Sequence, residues 1–220
     1  PHSRPRHPGA RTMLPLLLLL LATAHGLEEV RYKPKLAGPP LGGLTTASTF
    51  VLEQPRCIFN SVSSDAVIWL VVAVPEAVAK FNNSVKPGTP QRDFHGFPTT
   101  TPAYMTLNTT TLNYPCPPTP PGEITVLRVG SETSCATDTR RPTCNGPLPG
   151  PGPYRVKFLA LNDSGPVAQS MWSDPITLKT AKPPSSIPVM GSGHSAGMIA
   201  LTSILSILFA ILLAGLVAML

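Results

Sequence analysis

The sequence predicts an all-β domain, built as a sandwich of two sheets, followed by one membrane-spanning helix. Three observations support this prediction. The 28 prolines and 17 glycines among 220 residues favour many turns and disfavour long soluble helices. Seven short runs rich in β-branched or aromatic residues lie between these turns. The final 25 residues of the sequence, in contrast, are almost entirely apolar and carry no charge.

The first element is an N-terminal targeting segment, residues 1–26. An apolar run over residues 14–22 follows arginines and precedes small residues, which is the arrangement of a secretory signal peptide. Cleavage after Ala24 or Gly26 removes three arginines and lowers the net charge from +6 to +3, with 14 basic residues against 11 acidic ones. So small and diffuse a charge gives no support to nucleic-acid binding.

A β domain on the extracellular or luminal side is predicted over residues 27–190. Residues 67–74 are apolar at successive positions, so we expect them to form a central strand that is buried on both faces, with Trp69 in the core. Seven short strands are typical of a sandwich. The predicted strands cover residues 45–52, 66–74, 103–107, 123–129, 154–161, 167–172 and 176–180.

The last three predicted strands give the most specific fold signal. Tyr154 and every second residue after it up to Asn162 lie on one face of a strand, and a turn at residues 163–165 leads into the next strand and Trp172, which we expect to be structural. This pattern resembles the closing strands of an immunoglobulin or fibronectin type III sandwich. In those folds a tyrosine at the head of a strand makes a corner hydrogen bond, a structural role that we assign to Tyr154.

Four cysteines, all in the predicted β domain, indicate two disulfides. An even number of cysteines in an oxidising compartment permits three connectivities. We favour Cys135 with Cys144 and Cys57 with Cys116, which on the chain-entropy model contribute roughly 2.7 and 4.3 kcal/mol. A zinc site is disfavoured because the cysteines show no paired C-x-x-C spacing and no nearby histidine.

Three N-x-[ST] sequons, at Asn82, Asn108 and Asn162, are candidate N-glycosylation sites. Asn82 and Asn108 lie in polar stretches, and Asn162 lies at the predicted hairpin turn. The tripeptide alone is weak evidence, but the predicted passage through the secretory pathway strengthens each match.

The chain is anchored by the predicted helix over residues 196–220, which follows a short stalk over residues 191–195. At about 1.5 Å per residue the helix is roughly 37 Å long, more than the roughly 30 Å of a bilayer's hydrocarbon core. A buried core helix of a soluble protein is the alternative, but such helices rarely stay uncharged for so long. Together with the signal peptide, one anchor at this end predicts a type I orientation.

Small residues recur at every fourth position of the anchor and form one gently inclined row along it. Helices in lipid associate through such rows, and through polar contacts from residues such as Ser203. We therefore expect the row to pack against a partner helix. We name these residues the small-residue row: Thr202, Ser206, Ala210, Ala214 and Ala218.

The sequence contains no motif that indicates catalysis, a cofactor or a metal. H-E-x-x-H, P-loop and G-x-G-x-x-G dinucleotide-binding patterns are all missing from it. His95 beside Asp93 is the nearest approach to a catalytic pair, and we interpret His95 as a solvated loop histidine instead. The prediction is a protein that is not an enzyme and needs no cofactor.

Several longer segments are similar to the uroplakin III family. The resemblance covers most of the β domain and the start of the anchor. It rests on TTASTFVLEQPRCIF at residues 45–59, WLVVA at 69–73, YMTL at 104–107, LRVG at 127–130, CNGPLPGPGPY at 144–154, WSDPI at 172–176 and GMIALTSIL at 197–205.

This resemblance implies a structural type I membrane glycoprotein. It implies a tetraspanin partner, uroplakin Ib, with which the chain leaves the endoplasmic reticulum as a heterodimer. It also implies assembly with other uroplakins into plaques in the apical plasma membrane of the urothelium, where the plaques strengthen the surface and limit its permeability. The alternative is a single-pass adhesion or cytokine-type receptor, favoured by the sandwich-like strands and the WSDPI segment.

Overall fold

The computed structural model describes residues 26–120, 122–180, 182–186 and 196–219. These residues fall into two compact units that divide after Thr180. Residues 1–25 of the predicted targeting segment and the predicted stalk at residues 191–195 lie outside the described residues.

The first unit is rich in β-strands, and the second contains one long apolar helix, so the predicted fold class is confirmed. The strands are β1 (Glu28–Val30), β2 (Phe50–Glu53), β3 (Val67–Ala73), β4 (Ala103–Thr110), β5 (Val126–Val129), β6 (Arg155–Asn162) and β7 (Gly165–Ser170). The α-helices are α1 (Pro75–Val78) and α2 (Ala196–Met219). Short 3-10 helices cover Pro39–Leu41, Pro90–Arg92, Phe94–Gly96, Thr111–Asn113 and Pro184–Ser186.

The strands form two sheets. The large sheet has five strands in the order β1-β7-β6-β3-β4, with β1 parallel to β7 and the other neighbours antiparallel. The small sheet pairs β2 with β5 in antiparallel register, Phe50 opposite Val129. The central strand β3 hydrogen-bonds on both sides, to β4 and to β6, as its unbroken apolar sequence predicts.

Two strand predictions are wrong. Residues 176–180 do not form the strand predicted there. They contribute only an isolated bridge between Ile176 and Tyr154. The predicted strand at residues 45–52 begins only at Phe50, because the hydroxyl of Thr46 accepts hydrogen bonds from the backbone N–H groups of Ser48 and Thr49 and closes a local turn. The three-residue strand β1 was not predicted.

One face of the large sheet packs against the small sheet and forms the main core. Ile68, Leu70 and Val72 of β3 lie in one cluster of buried residues with Phe50 and Leu52 of β2. Val129 of β5 and alternate residues of β6, Val156, Phe158 and Ala160, complete this layer. The two sheets therefore share a single apolar interior, as expected of a sandwich.

The other face of the large sheet is covered by the segment that follows β3. Val71 of β3, Met105 of β4 and Leu159 of β6 are buried there with Ala77 of α1. Trp69 belongs to this second cluster, where it is half-buried. Trp69 therefore packs against this second apolar cluster and not in the main core, because β3 alternates its side chains and its odd-numbered residues face away from the small sheet.

Two cations are buried on this second face beside aromatic rings. Lys157 is 3% exposed and Arg92 is 7% exposed. The ammonium of Lys157 lies 4.6 Å from the ring centroid of Phe81 and 4.9 Å from that of Trp172, and the guanidinium of Arg92 lies 4.1 Å from Phe81. The Lys157 ammonium donates to Asn83 Oδ1 at 2.6 Å and to Gln169 Oε1 at 2.7 Å.

This arrangement lowers the pKa of Lys157 to about 8, mainly because burial disfavours the charged amine and also because Arg92 repels it. A lysine in the unfolded chain keeps a pKa near 10.4. Between these two values the unfolded state holds a proton that the folded state has released, so the folded state gains stability as the pH rises.

We therefore expect the melting temperature of the full chain in detergent to rise between pH 7.5 and pH 9. The gain is roughly 1 kcal/mol, or about 2–4 °C. Lys157→Met should abolish this slope, whereas Lys179→Met, which changes an exposed lysine, should keep it. Burial raises the pKa of Tyr32 and Tyr114 to about 12, so their titration has little effect in this range. An equal slope in wild type and Lys157→Met would contradict the assignment.

Tyr154 makes the corner hydrogen bond that the sequence suggests. Its side chain is 2% exposed, and its hydroxyl donates to the backbone oxygen of Gly150 at 2.7 Å, four residues upstream. The backbone of Tyr154 also pairs with Ile176 in both directions. The residue therefore holds the chain reversal that leads into β6.

Tyr154→Phe should lower the free energy of unfolding by about 1 kcal/mol, because the Gly150 oxygen loses its donor. Tyr104→Phe is the matched control. The hydroxyl of Tyr104 is buried without a hydrogen-bond partner among the described residues, so its removal should leave stability unchanged or raise it. Thermal unfolding of both variants in detergent measures the difference, and equal losses would show that the hydrogen bond contributes nothing specific.

Candidate functional sites in the anchor and the β domain

The helix α2 has the length and composition of a membrane span. It contains 24 residues, an 18-residue stretch of it has a mean hydropathy of 2.6, and its described side chains are all exposed. At about 1.5 Å per residue it is roughly 36 Å long, enough to cross the hydrocarbon core. Such an apolar surface is unstable in water, and a bilayer supplies the environment that this helix requires.

The hydroxyl groups of α2 are satisfied within the helix itself. Thr202 Oγ1 donates to the backbone oxygen of Met198 at 2.9 Å, Ser203 Oγ to that of Ile199 at 2.8 Å, and Ser206 Oγ to that of Thr202 at 2.7 Å. From the sequence, these groups are expected to make contacts between helices. In the structure these hydroxyls already donate within α2 and need no external acceptor. The small-residue row would therefore bind a partner helix by close packing and not by hydrogen bonds from unsatisfied polar groups.

Both cysteine pairs that the sequence favours are bonded in the structure. Cys57 is joined to Cys116 with their Cα atoms 4.4 Å apart, and Cys135 is joined to Cys144 with their Cα atoms 5.7 Å apart. The first bond connects the segment after β2, in the small sheet, to the segment after β4, in the large sheet. The second closes a loop between β5 and β6.

The three sequon asparagines occupy three different local structures. Asn82 is exposed, and its Oδ1 accepts from the backbone N–H of Ser84 at 2.9 Å. Asn162 ends β6, and its Oδ1 accepts from the N–H groups of Ser164 and Gly165 at 2.9 and 3.1 Å. Asn108 is exposed on the edge strand β4 beside a bulge. Within the described residues, no hydrogen bond involves the Nδ2 atom of any of the three, and this is the atom that carries an N-linked glycan.

The pair of Asp93 and His95 is a structural feature of a loop. His95 Nδ1 lies 3.0 Å from Asp93 Oδ1, and His95 Nε2 lies 3.1 Å from the backbone oxygen of Cys135. The His95 side chain is only 12% exposed, so the interpretation of a solvated histidine is wrong. Both ring nitrogens are engaged, and the histidine connects two loops. Elsewhere in the described ranges, no group of three potential metal ligands occurs.

The buried cluster around Lys157 was not predicted from the sequence. A signal was present, because Lys157 is a charged residue between Val156 and Phe158, and the strand continues with apolar residues up to Leu161. Its partners are not visible in the sequence, since Asn83 is 74 residues away along the chain. Trp172, which we expected to be structural, packs edge-to-face on Phe81 with ring centroids 5.6 Å apart.

Comparison with known proteins identifies relatives along most of the chain. No protein-family model matches it. Uroplakin-3b-like protein 1 of Bos taurus is 42% identical over 211 residues, which cover 90% of this chain and 78% of the relative. Uroplakin-3b-like protein 1 of Homo sapiens is 39% identical over 213 residues, covering 90% and 74%. Uroplakin-3a of Homo sapiens is 30% identical over 222 residues, covering 90% and 76%.

These similarities include both the β domain and the start of the anchor. The sequence motifs of the β domain resemble uroplakin IIIb, and the two 3b-like relatives are more similar to this chain than uroplakin-3a is. Members of this family are structural membrane proteins and not enzymes, as the sequence predicts. With a β-rich domain, two disulfides and one apolar helix of membrane-spanning length, the chain belongs to the uroplakin-3 family.

Proposed function

We propose that this chain is a type I glycoprotein that pairs with a tetraspanin similar to uroplakin Ib. The pair would leave the endoplasmic reticulum together and assemble with other uroplakins into plaques in the apical plasma membrane of the urothelium. In such plaques the chain would strengthen the cell surface and contribute to its permeability barrier. The observation that carries this proposal is the exposed apolar helix α2 with its small-residue row.

The orientation of the β domain is supported by its two disulfides. Disulfides persist in the secretory lumen and outside the cell, and are rare in the cytosol. Cys57, Cys116, Cys135 and Cys144 therefore favour an extracellular or luminal β domain. The predicted signal peptide, which lies outside the described residues, favours the same orientation.

The pairing through α2 is supported by the chemistry of its small residues. Lipid tails are as apolar as leucine, so helices in a bilayer associate where small side chains allow their backbones to approach. Ser206 and Ala210 lie one turn apart on one side of α2, where their small side chains would allow such an approach.

A single-pass adhesion or cytokine-type receptor is the second candidate. It is favoured by the hydrogen bond between Tyr154 and Gly150, which sandwich domains of cell-surface proteins share. The two functions differ in what the chain binds. A receptor binds a soluble ligand through the loops of its β domain, whereas a plaque subunit binds integral membrane proteins and resists extraction by detergent.

Replacing Ser206 and Ala210 with leucine should weaken recovery of the tetraspanin. Two bulky side chains would separate the helices, and we expect about ten-fold less tetraspanin per chain, equivalent to about 1.4 kcal/mol. Co-purification in mild detergent with quantitative mass spectrometry measures this ratio. Leu208→Phe with Leu212→Phe is the control, because it adds bulk on the opposite side of the helix at 3.6 residues per turn. Undiminished recovery with the leucine pair would refute the role of the row.

Ser206→Ala should leave tetraspanin recovery within about two-fold of wild type, a difference below about 0.5 kcal/mol. The Ser206 hydroxyl donates to its own helix, so its loss removes no contact with a partner. The same co-purification assay tests this prediction. A loss as large as that of the leucine pair would show instead that the hydroxyl binds the partner directly.

A further inference from the structure

A cavity of about 250 Å³ opens on the second face of the large sheet, beside the sequon at Asn162. Its apolar lining comes from β3 and β6, with Val67, Trp69 and Leu161. Its polar lining includes Asn83 and Lys86 of the segment after α1, and Asn162 itself. Small-molecule sites usually begin at roughly 300 Å³, so this cavity has room for about one sugar ring.

Trp69 supplies an aromatic ring of the kind on which sugars pack. The C–H face of a pyranose packs well on an aromatic ring, and polar groups at the rim bind its hydroxyls. Trp69 is half-buried, and its indole N–H donates to no acceptor within the described part of the chain. Asp65 and Asp163 also line the cavity and supply carboxylate acceptors.

The wall of the cavity is held rigidly. Asn83 Nδ2 donates to Gln169 Oε1 at 3.0 Å, and Asn83 Oδ1 accepts from the ammonium of Lys157 at 2.6 Å. The buried lysine cluster thus holds the segment that lines the cavity together with Trp69. A wall that is already ordered lowers the conformational entropy that an occupant must overcome.

We propose that this cavity holds the innermost sugar of an N-linked glycan on Asn162, which packs on the ring of Trp69. The glycan would come from a polyprenyl-diphosphate-linked oligosaccharide in the secretory pathway. The bond from Asn162 Nδ2 to the sugar C1 forms, the bond from C1 to the diphosphate oxygen breaks, and one Nδ2 proton leaves with the diphosphate. Asn162 Nδ2 is available for this bond, because the turn at residues 163–165 is held by Asn162 Oδ1.

The three sequons differ in their relation to this cavity. Asn162 lines it, Asn82 precedes the lining residues Asn83 and Ser84, and Asn108 lies on the edge strand β4 and lines a different depression. Asn108 therefore serves as the internal control. The inference depends on glycosylation of Asn162 and is independent of tetraspanin pairing.

The test uses the full chain made in mammalian cells, purified in detergent and freed of companion proteins. In a Trp172→Phe background, Trp69 is the sole tryptophan, since the sequence has two. Ser164→Ala removes the Asn162 sequon and keeps the asparagine, while Thr110→Ala removes the Asn108 sequon in the same way. Quenching of Trp69 fluorescence by acrylamide should increase roughly two-fold in Ser164→Ala, because the sugar no longer covers the indole, and stay unchanged in Thr110→Ala.

A second measurement avoids any change to a tryptophan. Native chains are treated with a peptide N-glycosidase, and glycopeptides are quantified over time. The Asn162 glycan should be released roughly ten-fold more slowly than the Asn108 glycan, because a packed inner sugar is inaccessible to the enzyme. Both should be released equally fast after denaturation.

Three outcomes would overturn the proposal. These are an unmodified Asn162 in glycopeptide analysis, equal release rates of the two glycans from the native chain, and unchanged quenching in Ser164→Ala. A fourth outcome would assign the cavity to a protein surface instead: in chains purified together with their companion proteins Trp69 stays shielded in Ser164→Ala, and this shielding vanishes once those proteins are removed.

Discussion

Burial of both faces of β3 is the constraint on which the β domain depends. A strand that is apolar at successive positions cannot leave either side in water, so the large sheet needs two covers. The small sheet of β2 and β5 supplies one. The segment from α1 to the 3-10 helix at Pro90–Arg92 lies near the other face and brings Ala77, Phe81 and Arg92 with it. The buried cations and the cavity beside Trp69 both lie on this second side because that segment crosses it.

The helix α2 follows the same principle in a different solvent. A bilayer satisfies its apolar side chains but offers no partner to polar groups, and the hydroxyls of Thr202, Ser203 and Ser206 turn back to their own backbone. The outer surface of the helix therefore offers a partner differences in side-chain size and no unsatisfied polar group among these three residues. Selectivity for a partner then comes from how closely a second backbone can approach the small-residue row.

The sequence predicts those features whose signal is local. The central strand, the anchor and the corner tyrosine follow from periodicity and from short patterns, and four cysteines in an exported domain predict two bonds. The face of β3 on which Trp69 lies was not predictable, because both faces are apolar and only tertiary packing distinguishes them. The network of Lys157 combines residues from three parts of the chain. The strand β1 has three residues, too few for a pattern.

The bond between Cys57 and Cys116 has a mechanical consequence. It links the small sheet to the large one just beyond the ends of β2 and β4. A shearing force between the two sheets would therefore act on a covalent link at this end. Apolar contacts are non-directional and would offer little resistance to sliding of one sheet over the other. The two layers would therefore stay joined here until the sulfur bridge itself is reduced.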